Sequence, residues 1–403
     1  MMEKVGKYIT NYIKGKTPKV LLLYEEADTM PYLSPDYLRG VAAPEFYAKQ
    51  DNKSIVVDNG EVIVLWDGSN AGEILISKKG VLASTMTMLQ FDEKQIDKAY
   101  FGYSFQNLEY ILKAKTAGSG IPHADKGVIS KLEFYKPSLA EQTAIAAMLS
   151  KVDEAIAAVQ GSISAAERLK KSLMQNLLTG RMKPDGTLRK EDEFYVDEKF
   201  GRVPLGWEVK KVTEEADYVQ YGLNQASSEK GKIPMLRMNN IVKGKMTNAP
   251  LVYVELNDLL LQQYKLDKGD ILFNRTNSLD LVGKVGVFEL DGDYVFASYL
   301  IKVKVSKDNN PYFVNYALNS YPIQCSLRSK ATPAVSQANI NSKSLRNTSI
   351  IIPTNKKEQD EIVSRINNVE NEIINKQNKI AVLERLKKSL MQNLLTGRVR
   401  VVN

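Results

Sequence analysis

Few residues in this chain have side chains suited to chemistry. Its 403 residues include one histidine, His123, and one cysteine, Cys325. A Ser-His-Asp or Cys-His nucleophile would have to use His123, and a zinc site built from His and Cys has almost no ligands to draw on. A lone thiol forms no intramolecular disulfide and suits a reducing compartment, so Cys325 reads as a small core residue. Asp267 and Asp270 stand near Lys265 and Lys268, the residue types of a nuclease site. Gly269-Asp270 opening an apolar run reads instead as a turn. A phosphate-cradling GxxxxGK[ST] loop is absent, which argues against a motor. A methyltransferase would show a glycine-rich cofactor loop after its first strand and an Asn-Pro-Pro-Tyr base-binding motif; neither is present. No catalytic residue, metal site or cofactor is therefore expected in this chain.

The chemistry left is recognition. Lys and Arg total 55 against 47 Asp and Glu, a net charge of +8. That modest excess fits a polyanionic partner. Lys and Arg serve phosphates, Arg suits guanine, and Asn or Gln suits adenine. In the second half of the chain the candidate loops hold Arg275, Thr276 and Asn277, then Arg328 and Lys330, then Ser336, Gln337 and Asn339. In the first half the matching stretches hold Asp67, Ser69 and Asn70, then Lys113 and Lys115, then Ser119 and His123. The alternative for each is a solvated surface residue. The two Lys/Arg-then-Ser/Thr loops are the better candidates as sets, because they recur shortly before two long helices.

Those helices organise the chain. Glu167 to Arg181 reads ERLKKSLMQNLLTGR, and Glu384 to Arg398 repeats it 217 positions later. At the same offset Glu141-Gln142 matches Glu358-Gln359, and Val152-Asp153 matches Val369-Glu370. An apolar stripe at 3-4 spacing runs through Leu149, Val152, Ile156, Val159, Ile163 and Leu169 in the first copy. In the second it runs through Ile366, Val369, Ile373, Ile380, Leu383 and Leu386, with Lys376 where the first copy has Val159. Sustained over several heptads, this predicts coiled-coil packing of one helix on the other. Gly180 and Gly397 are the expected stops. Each helix of roughly 40 residues spans about 60 Å. If they pack antiparallel, a pseudo-two-fold axis relates the halves.

The fold class expected is α+β: two mixed α/β domains separated by two long helices that form an antiparallel coiled coil. The boundaries read as a first domain over 1–136, a first helix over 137–181, a charged linker over 182–202, a second domain over 203–353 and a second helix over 354–400. The domains echo each other weakly. Met30-Pro31-Tyr32-Leu33 parallels Ile233-Pro234-Met235-Leu236. The run from Val64 to Asn70 parallels Ile271 to Asn277. Near-identical helices around diverged domains suggest one scaffold carrying two different readers. Met1 to Lys19 carries no apolar core of a secretory leader, and no window is apolar for about 18 residues, so a cytoplasmic location is expected.

At this point the chain resembles the specificity subunit of a type I restriction–modification enzyme over essentially its whole length. The likeness rests on the domain–helix–domain–helix order and the helix openings at Pro137 to Gln142 and Pro353 to Gln359. It rests further on the two LKKSLMQNLLTGR endings, the entry Val203-Pro204-Leu205-Gly206-Trp207-Glu208-Val209, and the later run Lys268 to Arg275. The first domain departs from the pattern, having no Pro-x-Gly-Trp entry. The resemblance implies two target-recognition domains, each reading half of a bipartite asymmetric site in double-stranded DNA. It implies helices that set the spacer and dock two methyltransferase subunits, which bind S-adenosylmethionine and methylate adenine, and a motor–nuclease subunit that joins them. The subunit itself would be non-catalytic. A coiled-coil scaffold that never meets DNA is the rival reading.

Overall fold

The computed structural model describes residues 1–49, 51–116, 122–333 and 337–401. Two helices of equal length dominate the topology, Leu139–Leu177 and Lys356–Leu394. Their starts are built alike. Gln142 and Gln359, the same repeat position, are both fully buried. Gln142 Nε2 donates to the Pro137 carbonyl at 3.1 Å, and its Oε1 accepts from Asp97 N at 2.9 Å. Gln359 Nε2 donates to the Pro353 carbonyl at 2.9 Å, and its Oε1 accepts from Asn310 N at 2.7 Å. A buried amide left unpaired costs about 1–3 kcal/mol, which explains a glutamine at both openings.

The helix ends are also alike. Gly180 (φ +67°) and Gly397 (φ +73°) adopt the left-handed conformation that closes a helix. A Cβ on Gly180 would sit 2.2 Å from Pro204 Cγ; one on Gly397 would sit 2.7 Å from the Tyr135 ring. Gly180→Ala is therefore expected to cost about 2–4 kcal/mol, from the left-handed backbone and the clash together. Urea unfolding of the purified chain measures this, and an unchanged midpoint would refute it.

The chain divides into two compact units, Met1–Ser162 with Lys376–Asn403, and Ile163–Asn375. In the first unit, strands Ile9–Lys14, Met86–Phe91, Val62–Leu65 and Ile74–Ile76 form a four-stranded sheet in that order. Helix Lys98–Ala114 packs on it through Tyr100, Phe101 and Phe105. A five-stranded sheet lies beside it in the chain's first hundred residues. In the second unit the corresponding sheet has six strands and centres on Ile271–Asn274 and Leu300–Val305. Trp207, Phe273 and Phe313 fill its core.

Each unit also contains one half of each long helix, packed antiparallel. In the first unit Asp153 pairs with Lys387 and Glu141 with Arg400. In the second Lys170 pairs with Glu370, and Leu177 shares a core with Ile362 and Ile366. The repeated Leu-Leu pair closes both cores: Leu177 and Leu178 in the second unit, Leu394 and Leu395 in the first.

Leu149, Val152, Ile366, Val369 and Ile373 are buried, while Ile156, Val159, Ile163, Ile380 and Leu383 are half-buried. Leu169 and Leu386 depart from the stripe, with 50% and 46% of their surface exposed. From Ala166 the inward face steps four residues to Lys170, not three to Leu169. The lysine stays inward because Glu370 receives its ammonium at 2.6 Å, as Asp153 receives that of Lys387 at 2.7 Å. Long lysine stems cover apolar surface while their heads find a carboxylate.

Candidate nucleic-acid interface

Both sheets end in the same backbone device. Trp66 N donates to the Thr85 carbonyl and its own carbonyl accepts from Ala124 N; Arg275 N and O do the same with Tyr299 and Ile340. Trp66 thus corresponds to Arg275, and Asp67 to Thr276. The two runs align two residues away from the match read in the sequence. A shift of two leaves every strand side chain on its own face, so the alternation did not reveal it.

In the first unit Asp67 faces His123 across an isolated antiparallel bridge. Asp67 Oδ1 lies 2.6 Å from His123 Nδ1, and Asp67 Oδ2 accepts from Lys14 Nζ at 2.9 Å. Burial pushes the Asp67 carboxyl up, but the hydrogen bonds from Lys14 and His123 outweigh it and hold it below the ordinary aspartate range. With both oxygens committed, Asp67 organises the other two. His123 and Lys14 remain more than half exposed. Tyr12 lies beside them, edge-on to Trp66 at 6.1 Å and under Lys126 Nζ at 4.9 Å.

In the second unit Thr276 pairs with Asn339, and Asn339 Nδ2 donates to Thr276 Oγ1 at 2.8 Å. The Arg275 guanidinium lies 4.8 Å from the Tyr221 ring centroid. Among the described residues its side-chain hydrogen bonds are long, 3.4 Å to the Ser298 carbonyl and 3.5 Å to Asn339 Oδ1. Tyr221 accepts from Ser342 N at 3.0 Å. Burial pushes the Tyr221 phenol up, yet Ser342 and the charges of Arg275 and Arg346 bring it net below the usual tyrosine range.

Lys14 and Tyr221 hold matching positions, each before a glycine at its strand's end. A Cβ on Gly15 would lie 2.1 Å from the Ala83 carbonyl oxygen, and one on Gly222 2.3 Å from that of Ala297. Only glycine lets the strand cross so close and aim the preceding side chain at the cluster.

The other candidates lie apart. Ser69 and Asn70 are exposed on the turn after Asp67. Lys113 and Lys115 are exposed at the end of Lys98–Ala114, with Lys113 paired to Glu109 at 2.6 Å. Arg328 is half-buried in the last turn of Tyr321–Ser329, and Lys330 is exposed just after it. Burial and nearby Lys199 hold the Lys330 ammonium below the usual lysine range. Asn277 Oδ1 accepts from Ser278 N, so it shapes the turn. Gln337 is exposed. Ser119 and Ser336 lie outside the described residues. Lys14, Tyr221 and Arg346 were missed from sequence; the shared Lys14-Gly15 and Tyr221-Gly222 strand endings were the available signal.

The carboxylates weighed for catalysis meet on a different lysine from those read in the sequence: Lys304 Nζ lies 2.9 Å from Asp267 Oδ2 and 3.2 Å from Asp270 Oδ1. Asp270 is buried, its Oδ2 accepting from Asp267 N at 2.9 Å, while Lys265 and Lys268 turn to Asp293 and Asp291. Cys325 is exposed, not a core residue: it lies on the open face of Tyr321–Ser329.

Each of the two α/β domains carries the same sheet-end device with different polar side chains and packs on segments of both repeated helices. The family model for the type I restriction modification DNA specificity domain matches residues 6–168 and 204–385, and the chain belongs to this family. The family comprises the non-catalytic, DNA-target-recognition components of type I restriction–modification systems. The chain is 32% identical to the type I restriction enzyme MjaVIII specificity subunit of Methanocaldococcus jannaschii, over 99% of this chain and 93% of that one. It is 22% identical to the EcoKI specificity subunit of Escherichia coli, over 89% and 79% respectively. Its fold matches the crystal structure of a type I S subunit from M. genitalium with a TM-score of 0.62, at 15% identity, covering 98% and 96% of the two chains. No helix among the described residues is long and apolar enough to cross a membrane.

Proposed function

We propose that this chain reads a bipartite, asymmetric sequence in double-stranded DNA, one half with each domain. The carrying observation is one backbone device bearing different polar groups in the two units: Lys14, Asp67 and His123 in one, Tyr221, Arg275, Thr276 and Asn339 in the other. A shared frame with different donors and acceptors suits two different base sequences. His123 and Arg275 are the base-reading side chains of this proposal, and Lys113, Lys115, Arg328 and Lys330 serve phosphates.

The long helices act as the ruler that fixes the spacer, and they dock two methyltransferase subunits. The repeat supports this: exposed Arg168, Leu169, Lys171 and Gln175 are identical to exposed Arg385, Leu386, Lys388 and Gln392. Neither core requires that identity, whereas two copies of one partner would. Those partners bind S-adenosylmethionine and methylate adenine, a motor–nuclease subunit completes the complex, and the assembly works in the cytoplasm.

The test is co-expression with the cognate methyltransferase subunit, followed by methylation-sensitive sequencing of host DNA and mass measurement of the complex. Methyl-adenine at one bipartite motif, lost on deleting this chain, with two methyltransferase copies per chain, is expected. A soluble complex with an active partner and no motif would favour the scaffold reading.

A further inference from the structure

Each domain touches its helices through a tyrosine that meets the same repeat positions. In the first unit Tyr103 donates to Asp153 Oδ2 at 2.7 Å and lies 3.3 Å from Ser150 Oγ. The other Asp153 oxygen takes Lys387 Nζ at 2.7 Å, and that ammonium lies 5.3 Å from the Tyr103 ring centroid. In the second unit Tyr316 donates to Asn367 Oδ1 at 2.7 Å. The negative charge of nearby Glu370, which receives Lys170 at 2.6 Å, also acts on this phenol.

Ser150 and Asn367, Asp153 and Glu370, and Lys170 and Lys387 are all pairs at the 217-residue offset. The domain helices supplying the tyrosines have diverged. Tyr-Phe-Gly-Tyr-Ser-Phe (100–105) and Phe-Val-Asn-Tyr-Ala-Leu (313–318) share only the tyrosine when aligned on it. Packing alone accepts many apolar side chains at such a place. A phenol hydrogen bond to an acceptor on the helix is directional, and in the first unit, where the acceptor is a carboxylate, it is charge-assisted as well. Burial pushes both phenols up, so each remains a donor.

We propose that Tyr103 and Tyr316 are positioning residues that fix the angle of each reading domain on its helices and thereby the accepted spacer length. This rests on the two-half-site reading given above. One base pair of spacer is about 3.4 Å of rise and about 34° of turn, so a domain that rocks on its helix accepts neighbouring spacings. Helix length sets the mean spacing; the tyrosines set its tolerance.

The experiment uses the full methyltransferase complex on a library with the cognate half-sites and spacers varied by one base pair. Tyr103→Phe and Tyr316→Phe are each expected to raise methylation at the neighbouring spacers, relative to the cognate one, by roughly ten-fold, with half-sites unchanged. Asp153→Ala, which removes the acceptor, should do the same, which covers the case of a phenylalanine variant that fails to fold. Asp153→Glu should keep the wild-type ratio, because it retains a carboxylate acceptor and, as Glu370 does with Lys170, a partner for the facing lysine. A uniform loss of methylation with an unmoved spacer ratio would mark the tyrosines as merely structural and overturn the proposal. A wild-type complex whose target is one undivided site would instead overturn the two-half-site reading.

Discussion

Removing one heptad from the middle of each long helix, Val159 to Ala165 and Lys376 to Val382, shifts methylation to a shorter spacer and leaves both half-sites unchanged. The two segments occupy the same repeat position. Seven residues are close to two turns, so the apolar stripe stays in register. They remove about 10.5 Å, which corresponds to about three base pairs of duplex. Those base pairs also carry about 100° of rotation around the DNA axis, so a lower methylation rate at the new site is expected. Sequencing methylated host DNA reads spacer and half-sites together. An unchanged spacer would remove the ruler from the proposal.

Replacing a reading side chain changes one half-site and spares the other. Arg275→Ala is expected to relax one position in the half read by the second domain. A lost bidentate base contact is worth about 1–3 kcal/mol, or about 5- to 150-fold in discrimination. Arg275 suits the role because its guanidinium is stacked on Tyr221 and its hydrogen bonds among the described residues are long. His123→Ala should relax a position in the opposite half. Lys330→Ala should weaken both halves without changing the motif, and should flatten the salt dependence, since a phosphate contact carries no sequence. Motif logos from the variants decide this. Relaxation of the same position by Arg275→Ala and His123→Ala would contradict separate readers.

Both predictions depend on features that differ in how far the sequence reveals them. The helices were legible because an apolar stripe at 3-4 spacing is a local property, and because fifteen residues recur unchanged. The stops at Gly180 and Gly397 were legible for the same reason, and both take the left-handed backbone. Arg275 and Thr276 stood out as polar residues ending an apolar run. Asp67 and His123 were singled out separately, but nothing in their spacing brings them together, since they stand 56 positions apart in the chain.

Tertiary structure decided the rest. Lys14 reaches Asp67 from a strand 53 residues earlier, and Tyr221 stacks under Arg275 from another strand of its sheet. Side chains gathered by strand pairing leave no periodic trace. The exposed Leu169 and Leu386 were misplaced because steps of three and four from Ala166 fit the stripe equally well. Partners on the other helix made the choice, Glu370 for Lys170 and Asp153 for Lys387. The sequence by itself determined the repeated helices, their stops and the two diverged domains around them, all of which local pattern encodes. Only the fold decided which residues gather at each sheet end and how the helices register, because those outcomes depend on contacts between residues far apart in the chain.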